Sequence, residues 1–256
     1  MAIVTSGIEA HLDGGAPSRR RRTDTGCPTT PHPQQHPTLS VVIVSYNCLA
    51  LLQKCLASIR GGAGSMAHEV IVVDNASGDG TCEWIRHSSP ETRLLANRTN
   101  LGFAKGCNWG IRKARGDYVL LLNPDTVVAG GTLLSTWEYM RSSPRLAACG
   151  CKVLRPDGSA DLSCKRNFPS PWDALCRLLG LSKLFPQSTL FARYDAPQLH
   201  EDCRQEVPLI DGCYMMIRRE AVDDIGLFDE RFFMYAEEMD WCRRAHLRGW
   251  SIGYDP

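Results

Sequence analysis

Two textures of apolar and polar residues alternate along the chain. Short runs rich in β-branched residues, Leu39–Ser45 (LSVVIVS), Glu69–Asp74 (EVIVVD), Arg93–Ala96 and Tyr118–Leu122 (YVLLL), are largely apolar, as strands covered on both faces are. Between them lie Leu49–Arg60, Gly80–His87 and Gly102–Ala114, which read as helices. In the first, Leu49, Leu52, Leu56 and Ile59 recur on one helical stripe. Strands separated by helices predict an α/β fold, a mainly parallel sheet flanked by helices on both faces.

After a predicted helix over Thr132–Arg141 the regularity weakens. Residues 155–208 are interrupted by Pro156, Pro169, Pro171, Pro186, Pro197 and Pro208, with one helix expected near Trp172–Leu179. Connections this long are usually functional or mobile. Regular structure returns with a strand at Leu209–Arg218, a short helix at Arg219–Asp224, a longer one at Glu237–Arg248 and a strand from Ser251 to Tyr254. That strand runs into the last residues, Asp255 and Pro256, so the domain is expected to be incomplete. Residues 1–38, rich in Pro, Gly, Ser and Arg and without apolar periodicity, read as a disordered tail. Its Arg19–Arg22 run reads as a solvated charge cluster rather than a lipid anchor.

Composition narrows the function. With 43% hydrophobic residues the chain can build a core, and 29 Lys+Arg against 28 Asp+Glu leave a net charge of +1. The one basic run sits in the tail, so nucleic acid is not an expected partner. The 12 cysteines show neither CxxC nor zinc-finger spacing. No apolar run is long enough to span a membrane and no signal peptide is evident, which makes a reducing cytoplasm the expected location.

In parallel α/β sheets, ligands bind beyond the carboxyl ends of strands. Three such ends are polar: Ser45-Tyr46-Asn47, the stretch from Asp74 and Asn75 to Thr81, and Asn123-Pro124-Asp125. Asp74 closes a buried strand, where a carboxylate needs donors. A nucleobase N–H or ribose hydroxyls could supply them, or Asp74 and Asp79 could simply cap a turn and the following helix. Asp125 suits a hard divalent ion whose other ligands are water and phosphate, or it is an ordinary turn residue. Glu237, Glu238 and Asp240 lie in the first turn of a helix. Spacing puts Glu237 and Asp240 on one face and Glu238 on another, and one of the three could be a general base, or all three could merely favour the helix start with Asp240 paired to Arg243 or Arg244. Walker, Rossmann and hydrolase-triad patterns are missing.

Taken in order, VVIVSYN, VIVVDNASGDGT, NLGFAKGCNWGI, YVLLLNPDT, DGCYMMIRREAV and IGLFDERFFMYAEEMDWCRRAHLRGW resemble family 2 glycosyltransferases of the GT-A fold, most closely bacterial rhamnosyltransferase-like members. The resemblance covers Leu39 to Asp255 and implies a nucleotide-sugar half, 39–150, and an acceptor-side half, 151–256. It implies an inverting, metal-dependent transfer from dTDP-rhamnose or a UDP-sugar to a glycan or lipid-linked hydroxyl in cell-surface polysaccharide synthesis. Ser45, Tyr46, Asn47, Asp74, Asn75, Lys105, Asn123, Asp211 and Gly212 would bind the nucleotide sugar, and Asp125 would hold Mg²⁺ or Mn²⁺. Glu238 would be the base, with Glu237 and Asp240 orienting base or acceptor. A lipid-linked acceptor would bring the enzyme to the inner face of the membrane as a peripheral protein. Relatives usually continue into a further strand whose His helps hold metal or diphosphate. Its lack before Pro256 keeps a second reading open, a nucleotide-binding but catalytically silent module. A sugar-nucleotide pyrophosphorylase would need a Gly-rich basic loop where Ser45-Tyr46-Asn47-Cys48 stands.

Overall fold

The apolar runs become the central strands of one large sheet. The computed structural model describes residues 2–5 and 37–256. Its strands are β1 (Ala2–Thr5), β2 (Leu39–Ser45), β3 (His68–Asp74), β4 (Arg93–Ala96), β5 (Tyr118–Leu122), β6 (Thr126–Val128), β7 (Leu146–Leu154), β8 (Lys165–Arg166), β9 (Gln205–Glu206), β10 (Leu209–Ile210), β11 (Tyr214–Arg218) and β12 (Ser251–Asp255). The helices are α1 (Leu49–Gly62), α2 (Thr81–Ser88), α3 (Phe103–Lys113), α4 (Thr132–Ser142), α5 (Pro171–Leu178), α6 (Leu181–Leu184), α7 (Arg219–Ile225) and α8 (Glu237–Leu247). None of the described helices is long and apolar enough to cross a membrane.

The main sheet runs β4-β3-β2-β5-β11-β7-β1-β6, with β12 on β7 and β9 on β12. The β4-β3-β2-β5 half is wholly parallel, and its register sets Ser45 opposite Asp74, so both strands end at one edge. β11 is inserted antiparallel between β5 and β7, while β12 joins β7 in parallel, which makes the second half mixed. Every residue of β2 and β5 is buried, with Ile43, Leu120, Leu121 and Leu122 at the centre of the core. α3 lies close against β2 because it carries glycines there: a Cβ on Gly106 would stand 2.9 Å from Val44 Cγ1.

Three features depart from the sequence reading. Ala2–Thr5, expected in the tail, is a strand between β6 and β7, its short AIVT run supplying buried Val4 to the core. Residues 6–36 of that tail, including Arg19–Arg22, lie outside the described residues. Leu146–Leu154 is a nine-residue strand whose Ala, Cys and Gly content hid it. The strand expected over Leu209–Arg218 is two: β10 pairs with β8 in a separate two-stranded sheet, and β11 enters the main sheet. Between them the Asp211 carboxylate accepts a hydrogen bond from Cys213 N at 2.9 Å, an Asx turn that ends the first strand.

The proline-rich 155–208 segment is held by polar clamps rather than a periodic core. Lys165 Nζ donates to the Leu199 carbonyl at 3.1 Å, Asn167 Nδ2 to the Arg193 carbonyl at 2.6 Å, and Arg193 Nε to Asp173 Oδ1 at 3.2 Å. All described cysteines are free thiols, and burial pushes the thiols of Cys107, Cys149 and Cys151 well up.

Candidate active site

The carboxyl ends of β2, β3 and β5, the turn between β10 and β11, and the start of α8 converge on a cleft of about 780 Å³. Of the residues singled out from sequence, Tyr46, Asn75, Asn123, Asp125, Asp211, Gly212, Glu237 and Glu238 line it. Ser45, Asn47, Asp74, Lys105 and Asp240 do not.

These five are placed as follows. Ser45 is fully buried, its hydroxyl 3.3 Å from Cys48 Sγ. Asn47, at φ 50, accepts from Gly78 N at 2.8 Å while its own N–H donates to Ser77 Oγ at 2.9 Å, which ties the β2 and β3 loops together. Asp79 completes that clamp, accepting from Leu49 N at 2.8 Å and from the Thr81 hydroxyl at 2.6 Å. It therefore closes the turn before α2, while the helix N-cap itself is Gly80, which has no side-chain cap bond. Lys105 is exposed on α3, where its charge adds to the Asn108 hydrogen bond and to Arg112 in holding the Glu230 carboxyl below its ordinary value. Asp240 is paired with Arg244, one helical turn on, at 2.8 Å, the ion pair that helical spacing allows.

Asp74 is the most informative of these. It is buried, its Oδ2 accepting from Ser77 N at 2.9 Å and from the Cys82 thiol at 3.3 Å, while Oδ1 has no hydrogen-bond partner among the described residues. A buried carboxylate oxygen without a donor costs about 1–3 kcal/mol or more, which a ligand N–H or O–H would offset. Its neighbour Asn75, which does line the cleft, is fully engaged with the Gly102 carbonyl at 3.0 Å and Asn97 Nδ2 at 2.7 Å.

Asp125 presents an exposed carboxylate to the cleft beside Asn123, whose N–H donates to the Cys213 carbonyl at 3.0 Å and so joins the β5 end to the Asp211 turn. Among the described residues no group of three or more His, Cys, Asp or Glu is gathered to hold a metal ion. One carboxylate facing an open cleft fits a hard ion that takes its other ligands from water and phosphate, not a closed all-protein cage.

The opposite wall is built under strain. Tyr235 and Ala236 both sit at φ 72, left-handed geometry that costs a non-glycine residue about 1–2 kcal/mol each. Neighbouring contacts hold them. Phe103 N donates to the Phe233 carbonyl at 2.7 Å, and Gly102 allows that approach, since a Cβ there would stand 2.5 Å from Phe233 O. Buried Asn108 grips Phe228 through both N–H (3.0 Å) and C=O (2.9 Å), and Trp241 Nε1 donates to the Gly226 carbonyl at 2.9 Å. The result turns the first residues of α8 into the cleft.

Glu237 and Glu238 are the consequence. Glu237 is buried, its Oε2 without a partner among the described residues, and desolvation, then the charges of Glu238 and Asp211, push its carboxyl up to about 7. Burial and Asp211 also raise Glu238, opposed by Arg166. Arg166 Nη2 stands 3.4 Å from Glu238 Oε1 and 3.6 Å from Asp211 Oδ2, and Nη1 donates to Tyr194 Oη at 3.0 Å. Arg166 and Tyr194, both lining the cleft, were not foreseen from sequence. Arg166 arrives through a two-residue strand pairing with β10, a long-range contact that leaves no periodic signal.

The glycosyl transferase family 2 model matches residues 40–226. An N-acetylglucosaminyl-diphospho-decaprenol L-rhamnosyltransferase of Mycobacterium tuberculosis is 30% identical over 233 residues, 85% of this chain and 73% of that protein. The low-salt glycan biosynthesis hexosyltransferase Agl10 of Haloferax volcanii is 27% identical over 84% of this chain and 64% of its own length. Among solved structures, a Pyrobaculum calidifontis mannosyltransferase in complex with GDP-Man and Mn²⁺ is similar at a TM-score of 0.59 and 20% identity, over 89% of this chain. GalNAc-T7 with UDP, GalNAc and Mn²⁺ is similar at a TM-score of 0.62 and 17% identity, over 88% of this chain. The chain spans 56% and 43% of those two solved chains, and the likeness is one of fold, GT-A.

Proposed function

The chain belongs to glycosyl transferase family 2, and from that membership we propose that it moves a sugar from a nucleoside-diphosphate donor to a hydroxyl of a glycan or lipid-linked acceptor in cell-surface polysaccharide synthesis. The observation that carries the reading is the meeting in one cleft of Asp125 on one wall and Glu238 on the other. dTDP-rhamnose is the first donor to test and UDP-sugars the next, given the rhamnosyltransferase relative. Asp74 Oδ1, unpartnered and buried, is suited to accept from a pyrimidine N–H or a ribose hydroxyl.

The reaction is read as a single displacement with inversion. Glu238 takes the proton from the acceptor hydroxyl, whose oxygen attacks the anomeric carbon as the bond to the nucleoside diphosphate breaks. Mg²⁺ or Mn²⁺ held by Asp125 would neutralise charge on the departing diphosphate. Arg166 aims Glu238 and opposes the burial that disfavours its ionised form, while Glu237, with its raised affinity for a proton, can donate a hydrogen bond near neutral pH. Tyr46 and Asn123 flank the donor side and Asp211-Gly212 the sugar, where a Cβ on Gly212 would lie 3.9 Å from Glu238 Cβ. Such an enzyme would work in the cytoplasm, at the inner face of the membrane.

Glu238→Gln tests the mechanism. Transfer from dTDP-rhamnose to a lipid-linked N-acetylglucosaminyl acceptor should fall at least 100-fold while nucleotide affinity is unchanged. Full transfer by the variant would refute the role given to Glu238.

A further inference from the structure

Exposed large apolar side chains gather in one short stretch of this chain. Trp172, Leu175, Leu178, Leu179, Leu184 and Phe185, followed by Leu190, are all exposed, Leu178 at 84% and Leu184 at 70%. They belong to a hairpin of two short helices, α5 and α6, reversed at Gly180 with φ 72. α5 turns only Asp173 and Cys176 inward, so its apolar residues Trp172, Leu175 and Leu178 are left exposed.

The exposure does not come from loose structure. Ser170 and Asp173 form a capping box at the start of α5, and Arg193 pairs with Asp173. Arg177 Nη2 reaches Asp195 at 2.6 Å, and Trp172 Nε1 donates to the Leu190 carbonyl at 2.9 Å. Phe191 packs on Phe185 and Trp172 at centroid distances of 5.5 and 6.5 Å. A hairpin pinned this firmly while showing leucines to water is built to have them covered.

We propose that the α5–α6 hairpin is a membrane-docking surface that inserts its leucines and Trp172 among the headgroups of an anionic bilayer. Charge favours that occupant. The exposed charged residues of 171–190 are both cationic, Lys183 and the Asp195-paired Arg177, whereas the carboxylate of Asp173 is buried against Arg193. Position favours it too. The hairpin returns through Arg193 to Tyr194, which lines the cleft and binds Arg166, and Met234 and Tyr235, half or more exposed, line the same cleft. An acceptor hydroxyl carried on a lipid would thus reach Glu238 from the side on which the hairpin meets the membrane. This last step rests on the lipid-linked acceptor proposed above, whereas the docking itself does not.

The test is co-sedimentation of the full chain with vesicles of phosphatidylcholine alone and of phosphatidylcholine with 30% phosphatidylglycerol, roughly the anionic content that recruits basic amphipathic surfaces. Wild type should sediment with the anionic vesicles. Leu178→Ser with Leu184→Ser should weaken binding at least about tenfold, and Lys183→Glu severalfold. Leu247→Ser, at the 79% exposed end of α8, should bind like wild type. Circular dichroism and calorimetric titration of dTDP check each variant's fold and donor site. A double variant that loses vesicles but keeps dTDP supports docking even if no transfer is detected. Vesicle binding indifferent to Leu178 and Leu184, or no binding by wild type, overturns the proposal. So does a wild-type dimer that the double variant converts to monomer in sedimentation velocity, since a second copy would then be the occupant.

Discussion

Replacing Glu237 by Gln should stabilise the protein at pH 8 and leave it nearly unchanged at pH 5. Glu237 is buried, its Oε2 without a partner among the described residues, and its carboxyl is pushed from the ordinary 4.5 to about 7. The folded state therefore binds the proton more tightly than the unfolded state does. The contribution of Glu237 to stability is greatest below about pH 4.5, falls as pH rises through 7, and levels off above it, because the unfolded chain ionises freely while the folded one must ionise a desolvated group. From 4.5 to about 7 the penalty reaches about 3 kcal/mol at pH 8 and stays below about 1 kcal/mol at pH 5. Gln copies the neutral carboxyl in shape and escapes the pH-dependent part. For a domain of this size, 3 kcal/mol corresponds to a rise in Tm of about 6–12 °C at pH 8. Thermal and urea unfolding of both proteins at pH 5, 6, 7 and 8 measure the difference. Equal stability at every pH, or a variant that is weaker at pH 8, would refute the reasoning, since either means that the Glu237 carboxylate is solvated or paired. Transfer should fall in the same variant, as expected where stability is given up for function.

Arg166→Gln removes the cation that opposes burial at Glu238, so the acid limb of the pH–rate profile should move to higher pH and transfer at pH 7 should drop about 10–100-fold; Arg166→Lys should recover most of the limb's position. Gly102→Ala meets Phe233 O at 2.5 Å and keeps a φ of +84, so it should lose about 2–3 kcal/mol in urea unfolding. Asp74→Asn should weaken nucleotide binding at least tenfold in calorimetry, its fold checked by circular dichroism, because the orphan Oδ1 is the acceptor assigned to the base or ribose.

How far the sequence could be read follows from where each signal resides. The parallel half was legible because β2, β3 and β5 are continuous apolar runs with helices between them, and burial on both faces writes itself into each residue. Asp125 was legible as a polar residue at a strand end and Glu238 as one of three carboxylates at a helix start, whereas Asp211, lying inside the run read as one strand, was named only by the family resemblance. β7 was not, since LAACGCKVL is buried through small residues that carry little hydrophobic contrast. The Leu209–Arg218 run looked like one strand because its apolar pattern is unbroken except at Asp211-Gly212, and the Asx turn there depends on one side-chain hydrogen bond. Arg166 and Tyr194 reach the cleft only through contacts between distant segments, which a linear pattern does not record. For Asp240 helical spacing left two readings open, a role beside Glu237 or an ion pair with Arg243 or Arg244, and the i,i+4 pair with Arg244 is the one formed.

The central claim is that this cleft binds a nucleoside diphosphate through Asp125 and a divalent ion. Calorimetric titration of UDP, dTDP, GDP and ADP into the chain, with and without Mn²⁺ and in parallel with Asp125→Ala, tests it most directly. The account predicts that UDP or dTDP binds in the presence of Mn²⁺, that removing the metal weakens binding at least tenfold, and that Asp125→Ala abolishes the metal dependence. Failure of every nucleotide to bind a chain shown to be folded, or binding that neither the metal nor Asp125 affects, would contradict it.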